Sequence, residues 1–272
     1  MIKKSAISLI SYDAEYLPDS IAKYYDFVDE IVLGLDKDRI SWSNNSFKFD
    51  ENKLWKDLKT LDKKNKIEVV EENFHPSKIA IENDNYERNF LKDKCTHDWI
   101  FSIDADEELV NAKHFFNNFV PLMETYYDKV DWMFTWLTPW KEIEDKTLVI
   151  ANEDNTLHRE APQGFVTHKK NTFRYARWTN NAKQMLTPLV VLHWSLCRTE
   201  QNLKQKINNI GHSDIAKEDP FFQNWKHTDL KNWDQLKNFK TSGFGNNQWP
   251  KLVCVETQSL RHVAESQLQL AY

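Results

Sequence analysis

The chain has 272 residues, and 40% of them are aliphatic, aromatic or cysteine, enough to close one large core and to argue against disorder. A net charge of −5 excludes a surface built mainly to coat nucleic acid or an anionic membrane. The five glycines, Gly34, Gly164, Gly211, Gly243 and Gly245, cannot form a Gly-x-Gly-x-x-Gly run or a P-loop, which disfavours dinucleotide-type and Walker-type sites. Cys95, Cys197 and Cys254 are odd in number and far apart, so a reducing compartment is expected and a disulfide framework or zinc site is not. The apolar stretch 6–10 is interrupted by Asp13 and Glu15 too soon for a signal peptide, and no run approaches the roughly 20 apolar residues of a membrane span. These features describe a cytoplasmic protein, with peripheral membrane contact left open. Tryptophan is frequent, at 11 residues, and its rings serve either as packing or as flat platforms for a sugar or a base.

The first half alternates between strand and helix patterns. Residues 6–11 read as a buried strand and 18–25 as a helix with proline at a tolerated early position. A second strand, 30–35, ends at Asp36, and a loop rich in Asn and Ser covers 39–46. A polar helix over 51–63 leads to a third strand at 67–70. Helix 81–94 carries Ile81, Tyr86, Phe90 and Leu91 at helical spacing, and strand 98–103 runs into Asp104-Ala105-Asp106. This order predicts an α/β fold with a mostly parallel central sheet flanked by helices, in which ligands bind outside the carboxyl ends of the strands. Ser11, Asp36 and 104–106 all fall at such ends.

The second half is less regular. Residues 132–140 alternate like a strand, 147–151 form another, and 164–168 with 172–175 read as a short hairpin. An apolar run, 189–192, ends at His193, a helix covers 199–210, and aromatic helical pieces follow, broken by Pro220 and Pro250. The expected organisation is one domain over 1–215, with halves 1–110 and 111–215, and a helical extension over 216–272 packed on it.

Asp104 and Asp106 are two residues apart, so a continuing strand points both carboxylates to one side. A cation between them relieves their repulsion, and oxygen ligands suit Mg²⁺ or Mn²⁺, which can bridge phosphate oxygens and stabilise a leaving nucleoside diphosphate. Alternatively the triplet is a solvated turn that caps the next helix. A D-x-D triplet alone is a weak signal; its place at the end of a buried strand strengthens it.

The series Tyr86-Glu87-Arg88-Asn89-Phe90, then 98–107 with Asp104-Ala105-Asp106-Glu107, and the earlier strand 28–36 ending in Asp36, resembles the GT-A glycosyltransferases of the family-2 type over about residues 5–110. The resemblance implies a GT-A fold, a UDP-sugar or other nucleotide-sugar donor and a divalent metal. It implies that Asp36 accepts hydrogen bonds from the base, that Ser11 and Tyr12 line the nucleotide pocket, and that Arg88 holds its nucleotide side. Asp104 would reach the ribose or a metal-bound water, and Asp106 would ligate the metal. Lys37-Asp38-Arg39 departs from the usual polar run after the second strand, which leaves the base open.

Many GT-A enzymes complete the metal site with a His at the end of a later strand, and His193 stands there; the other reading is a core histidine. Downstream, Arg198 and Lys206 either pair with the diphosphate or sit on a solvated helix face. An inverting transferase needs a general base, and Glu153, Asp154 and Glu160 are the candidates, Glu160 first. The interleaved basic and aromatic run 168–178 reads first as a solvated hairpin, and otherwise as a grip for a phosphorylated acceptor or a nucleic acid. Glycan and lipid-linked acceptors lead the expectation for partners, ahead of protein and nucleic acid.

Other readings fit less well. A haloacid dehalogenase-type phosphatase wants Thr or Val where Glu108 stands, and a calcium loop wants a glycine after Asp106. A sugar nucleotidyltransferase wants a basic, glycine-rich loop where 12–15 reads Tyr-Asp-Ala-Glu. A non-catalytic module of GT-A shape would have no need of Asp36, Arg88, Asp104 and Asp106 together.

Overall fold

The computed structural model describes residues 2–123, 125–126, 130–181, 183–209, 221–240 and 248–269. The chain starts with β1 (Lys4–Ile10), α1 (Leu17–Tyr24), β2 (Glu30–Asp36), α2 (Glu51–Leu61), β3 (Ile67–Glu72), α3 (Ala80–Lys94) and β4 (Trp99–Ser102). Each strand of the first half lies within three residues of its expected bounds. The reason is visible in β1 and β2, whose successive residues feed opposite faces of the sheet. Ala6, Ile10, Ile31, Leu33 and Leu35 enter one core cluster, and Ile7, Leu9 and Val32 enter another behind them. A strand buried on both faces reads as a continuous apolar run. Helix α1 covers the first face with Leu17, Ile21 and Tyr24, and α3 covers the second with Leu91.

The segment after β4 holds β5 (Glu107–Leu109), two short helices, α4 (Ala112–His114) and α5 (Val120–Met123), and β6 (Asp131–Leu137). Then come β7 (Pro139–Ile143), β8 (Lys146–Ala151), β9 (Gln163–His168), β10 (Phe173–Tyr175), β11 (Trp178–Thr179), β12 (Gln184–His193) and helix α6 (Glu200–Asn209). The main sheet has eight strands in the order β3-β2-β1-β4-β9-β6-β12-β5. Neighbours β3/β2, β2/β1, β1/β4 and β6/β12 are parallel, while β9 and β5 are antiparallel to theirs. The fold is therefore α/β with a mostly parallel central sheet and helices on both faces.

Two expectations need correction. Residues 164–175 are not one hairpin: β9 inserts into the main sheet between β4 and β6, and β10 pairs with β11 instead. The C-terminal part is stranded as well as helical. Between helices Phe221–His227 and Leu260–Gln269 lie β13 (Lys237–Lys240) and β14 (Gln248–Glu256), and β14 pairs antiparallel with β8 in a second sheet, β13-β14-β8-β7. The edge of β8 offers unpaired backbone groups, and β14 satisfies them. The expected boundary at 215/216 falls within 210–220, outside the described residues, as does Ile210 at the end of the expected helix.

The second sheet has its own core, where Trp140, Trp225 and Trp249 pack with Phe239 and Leu252. These tryptophans, together with Trp99 and Trp132, are packing residues and not open platforms. Gly34 in β2 lies against α3: a Cβ there would meet Glu87 Oε1 at 2.5 Å and Leu91 Cδ1 at 2.8 Å. Gly34→Ala is expected to push α3 outward and cost about 1–3 kcal/mol, read as a lower urea midpoint with unchanged slope.

Candidate functional site

The D-x-D triplet is a turn. β4 ends at Ser102, and the chain bends through 103–106 into β5, which runs alongside β12 so that Glu107 pairs with His193. This sets Asp106 beside the end of β12, and Trp194 N–H donates to the Asp106 carbonyl at 2.9 Å. Because the strand does not continue through the triplet, the two carboxylates are held by different partners.

Asp104 faces the α3 side. Arg88 Nη2 lies 3.0 Å from its Oδ1, and Arg177 Nη2 lies 2.7 Å from its Oδ2. Arg88 also reaches Asp84 at 2.6 Å and Ser102 at 2.7 Å. Burial alone would raise the Asp104 carboxyl, but the two guanidinium groups outweigh it and bring it down to about 2. Asp106, itself buried, shares its Oδ2 between Arg198 and Lys206, the latter at 2.7 Å, while Oδ1 lies 3.7 Å from His193 Nε2. Burial opposes ionisation here too, and the basic groups around the carboxylate, Lys206 foremost, hold it well below the ordinary carboxylate range. Arg198 also bonds Asp13 at 3.0 Å and lies over the Tyr16 ring at 4.7 Å.

His193 is pushed down to about 3 by burial, so its imidazole is neutral at physiological pH. Trp136 stacks on it with ring centroids 4.2 Å apart. The Trp136 indole N–H donates to Glu107 Oε1 at 2.6 Å, and Glu107 Oε2 accepts from Arg177 at 2.7 Å and from Asp104 N–H at 2.9 Å. Glu160 borders the same corner: its N–H donates to the Trp136 carbonyl at 3.0 Å, and Thr138 Oγ1 donates to its carboxylate. Burial pushes the Glu160 carboxyl up to about 6, only partly offset by Thr138. Of the other two base candidates, Glu153 and Asp154 are both exposed, and Asp154 is occupied by Thr156 within its own turn.

At the ends of the first strands, Ser11 and Tyr12 follow β1 and are half-buried. Asp36 is buried, with both oxygens engaged. Oδ1 accepts from Asp38 N–H at 2.9 Å and Ile40 N–H at 3.0 Å; Oδ2 accepts from Phe74 N–H at 2.8 Å and lies 2.7 Å from His75 Nδ1. Two partners per oxygen use the lone pairs a base would need, so in this geometry Asp36 shapes the loop after β2.

The expected metal set of Asp104, Asp106 and His193 is not gathered as three. Among the described residues, the group whose ligand atoms all lie within 4.8 Å of one another is Asp36, Asp38 and His75, where a cation would have to displace the donors already on Asp36. Asp106 Oδ1 and His193 Nε2 face each other at 3.7 Å, one carboxylate oxygen and one imidazole nitrogen, both atom types that ligate divalent ions. Asp104 is directed to the two arginines instead.

Arg177 is the residue the sequence concealed. It belongs to the run expected as a solvated hairpin, yet its side chain is 3% exposed and lies between Asp104 and Glu107. The turn β10–β11 delivers it. Ala176 takes φ 48, and Gly164 in β9 lets the turn approach, since a Cβ there would meet the Arg177 carbonyl oxygen at 2.1 Å. Asp131, also buried, accepts from Thr167, Thr179 and Asn171 and ties the turn to the sheet. No local signal separates such an arginine from its solvated neighbours.

No family model and no curated protein matches the chain in sequence. Among solved structures, Staphylococcus aureus TarS 1–349 is 14% identical with a TM-score of 0.32, over 53% of this chain and 37% of that one. The same protein in complex with UDP is 11% identical, TM-score 0.39, over 86% of this chain and 78% of that one. A UDP-glucose pyrophosphorylase complexed with UDP-glucose is 11% identical, TM-score 0.35, over 76% and 97%. The chain thus spans little more than a third of the first of these. Its α/β class is read from its own strand order and layers.

Proposed function

We propose that the chain is a glycosyltransferase that binds a nucleoside diphosphate sugar at the carboxyl ends of β1, β2 and β4 and passes the sugar to an acceptor hydroxyl. The observation that carries this reading is the surrounding of Asp106: Arg198 and Lys206 on one oxygen and the His193 imidazole facing the other. Such a corner offers N–H donors to a diphosphate and two ligand atoms to a divalent cation.

Asp106 and His193 would hold Mn²⁺ or Mg²⁺, which supplies charge stabilisation to a leaving diphosphate. Arg198 and Lys206 bind the diphosphate, Arg88 with Asp104 closes the ribose side, and Ser11 and Tyr12 border the nucleotide. Glu160 takes the acceptor proton. The acceptor oxygen bonds to the anomeric carbon as the bond from that carbon to the diphosphate breaks, and the diphosphate keeps the electron pair. This assignment makes the reaction inverting. The acceptor in this reading is a glycan or lipid-linked hydroxyl, and a reducing, cytoplasmic setting goes with the free cysteines Cys95, Cys197 and Cys254. Among the described residues no helix is long and apolar enough to cross a membrane.

A thermal-shift screen of nucleotide-sugars with and without Mn²⁺ tests the reading, followed by turnover of the stabilising donor. Release of nucleoside diphosphate supports it. Release of pyrophosphate from a nucleoside triphosphate and a sugar phosphate would make the chain a nucleotidyltransferase instead.

The pH profile tests Glu160. A base must be ionised to act, and Glu160 sits at about 6, so kcat/KM is expected to rise with pH through about 6 and then level. Glu160→Gln is expected to lower kcat by about 10²–10⁴-fold with little change in donor affinity. A wild-type rate in that variant would move the search to Glu153 or Asp154.

A further inference from the structure

Helix α6 lies across the strand ends that the donor would occupy. Asn202, Lys206 and Asn209 are spaced i, i+4, i+7 and therefore share one face of the helix. Asn202 Nδ2 donates to Glu15 in the turn after β1 at 2.8 Å. Lys206 Nζ donates to Asp106 at 2.7 Å. Asn209 Oδ1 accepts from Ser41 Oγ, in the loop after β2, at 2.6 Å, and Asn45 Nδ2 donates to the Asn208 carbonyl at 2.9 Å. One face of a single helix thus touches the ends of β1, β4 and β2 in turn. An adjoining side is anchored by Leu203 and Ile207, which pack into the core of the second sheet, while Lys204 and Asn208 on the far side are exposed.

Two positively charged groups cannot both be satisfied by the Asp106 carboxylate at full strength. Lys206 and Arg198 already share one of its oxygens, so a divalent ion arriving at Asp106 and His193 meets an ammonium on the same carboxylate. A diphosphate entering with the ion offers that ammonium a new partner of higher charge.

We propose that α6 is a strap over the donor site, latched by Lys206 on Asp106 in the donor-free protein, and that Lys206 passes from Asp106 to the donor diphosphate when the divalent ion takes the carboxylate. The strap rests on the donor-site reading above and adds an order of events to it: ion and nucleotide bind together, and each alone binds weakly. The Lys206 ammonium both guards the metal site and becomes part of the diphosphate grip.

Lys206→Met keeps the unbranched apolar stem, one atom shorter, and removes the charge. Mn²⁺ affinity is measured by the loss of the free-ion electron paramagnetic resonance signal without nucleotide, and UDP affinity by calorimetry at saturating Mn²⁺. The variant is expected to bind Mn²⁺ alone about tenfold more tightly and UDP with Mn²⁺ about tenfold more weakly, changes of opposite sign that a merely structural lysine would not produce. The gain in Mn²⁺ affinity is expected to vanish in Asp106→Asn/Lys206→Met; a gain that survives there would place the ion elsewhere and overturn the latch. If wild type and Lys206→Met bind Mn²⁺ equally, and Asp106→Asn abolishes that binding, the latch falls while the donor-site reading stands. If no form binds Mn²⁺ with or without UDP, the latch and the metal assignment fall together.

Discussion

Asp106→Asn is expected to abolish Mn²⁺-dependent binding of UDP, with a loss of about a hundredfold or more in affinity and little change in fold. The amide keeps the shape of the side chain but offers one neutral oxygen where a charged carboxylate stood. Lys206 loses its ion pair and the ion loses its ligand. Arg198 keeps Asp13 and the face of Tyr16, so no buried guanidinium is orphaned. The cost to stability is therefore expected at about 1–3 kcal/mol, the range for a buried charge-assisted hydrogen bond. Alanine is the poorer variant because it leaves a void beside both cations. Calorimetry with UDP in Mn²⁺ and again in chelator, with circular dichroism as the fold control, reads both effects. An unchanged UDP·Mn²⁺ affinity would end the assignment of Asp106.

Arg177→Met is expected to be among the most destabilising substitutions in the chain, at about 3–5 kcal/mol, because it leaves buried carboxylates short of a cation. Asp104 keeps Arg88, but Glu107, 1% exposed, is left with the Trp136 indole and one backbone N–H. The pH dependence carries the sign. Asp104 sits at about 2, below its ordinary value, so its ionisation adds stability that is present above pH 4 and lost as pH falls toward 2. Without Arg177 that contribution shrinks. The gap in urea stability between wild type and variant should be widest near neutral pH and narrow through that window. Gly164→Ala provides an independent route to the same place. Its added Cβ meets the backbone of Arg177 at 2.1 Å, so the turn must lift and carry an intact Arg177 away from Asp104. Equal stability of either variant and wild type would mean that the guanidinium is not what holds the triplet.

The two variants also show where the sequence stops being informative. Asp104, Asp106 and Asp36 stand out because each ends a buried apolar strand, and the strand pattern places them on one edge of a sheet. Their partners Arg177, Arg198 and Lys206 come from distant segments, and nothing in the neighbourhood of Arg177 distinguishes it from Lys169, Lys170 or Arg174. Burial is a property of the packed molecule. The same limit applies to 164–168, which reads as a strand paired with 172–175, because a local pattern marks a strand without fixing its neighbour, so its insertion between β4 and β6 was not legible. The D-x-D geometry follows this pattern. A strand continuing through the triplet would aim both carboxylates one way, whereas pairing of β5 with β12 bends the chain and separates them.

The amino-acid order alone determined the α/β class, the strand and helix succession of the first half and the strand-end aspartates, because these depend on local periodicity and on runs of apolar side chains. Tertiary structure alone decided which cations neutralise Asp104 and Asp106, that Asp36 is already saturated, that α6 lies over the strand ends, and that Glu160 is held against Trp136 and Thr138 while Glu153 and Asp154 are exposed. Those facts depend on distances between segments far apart in the chain, and in a buried site such distances decide which charges can coexist.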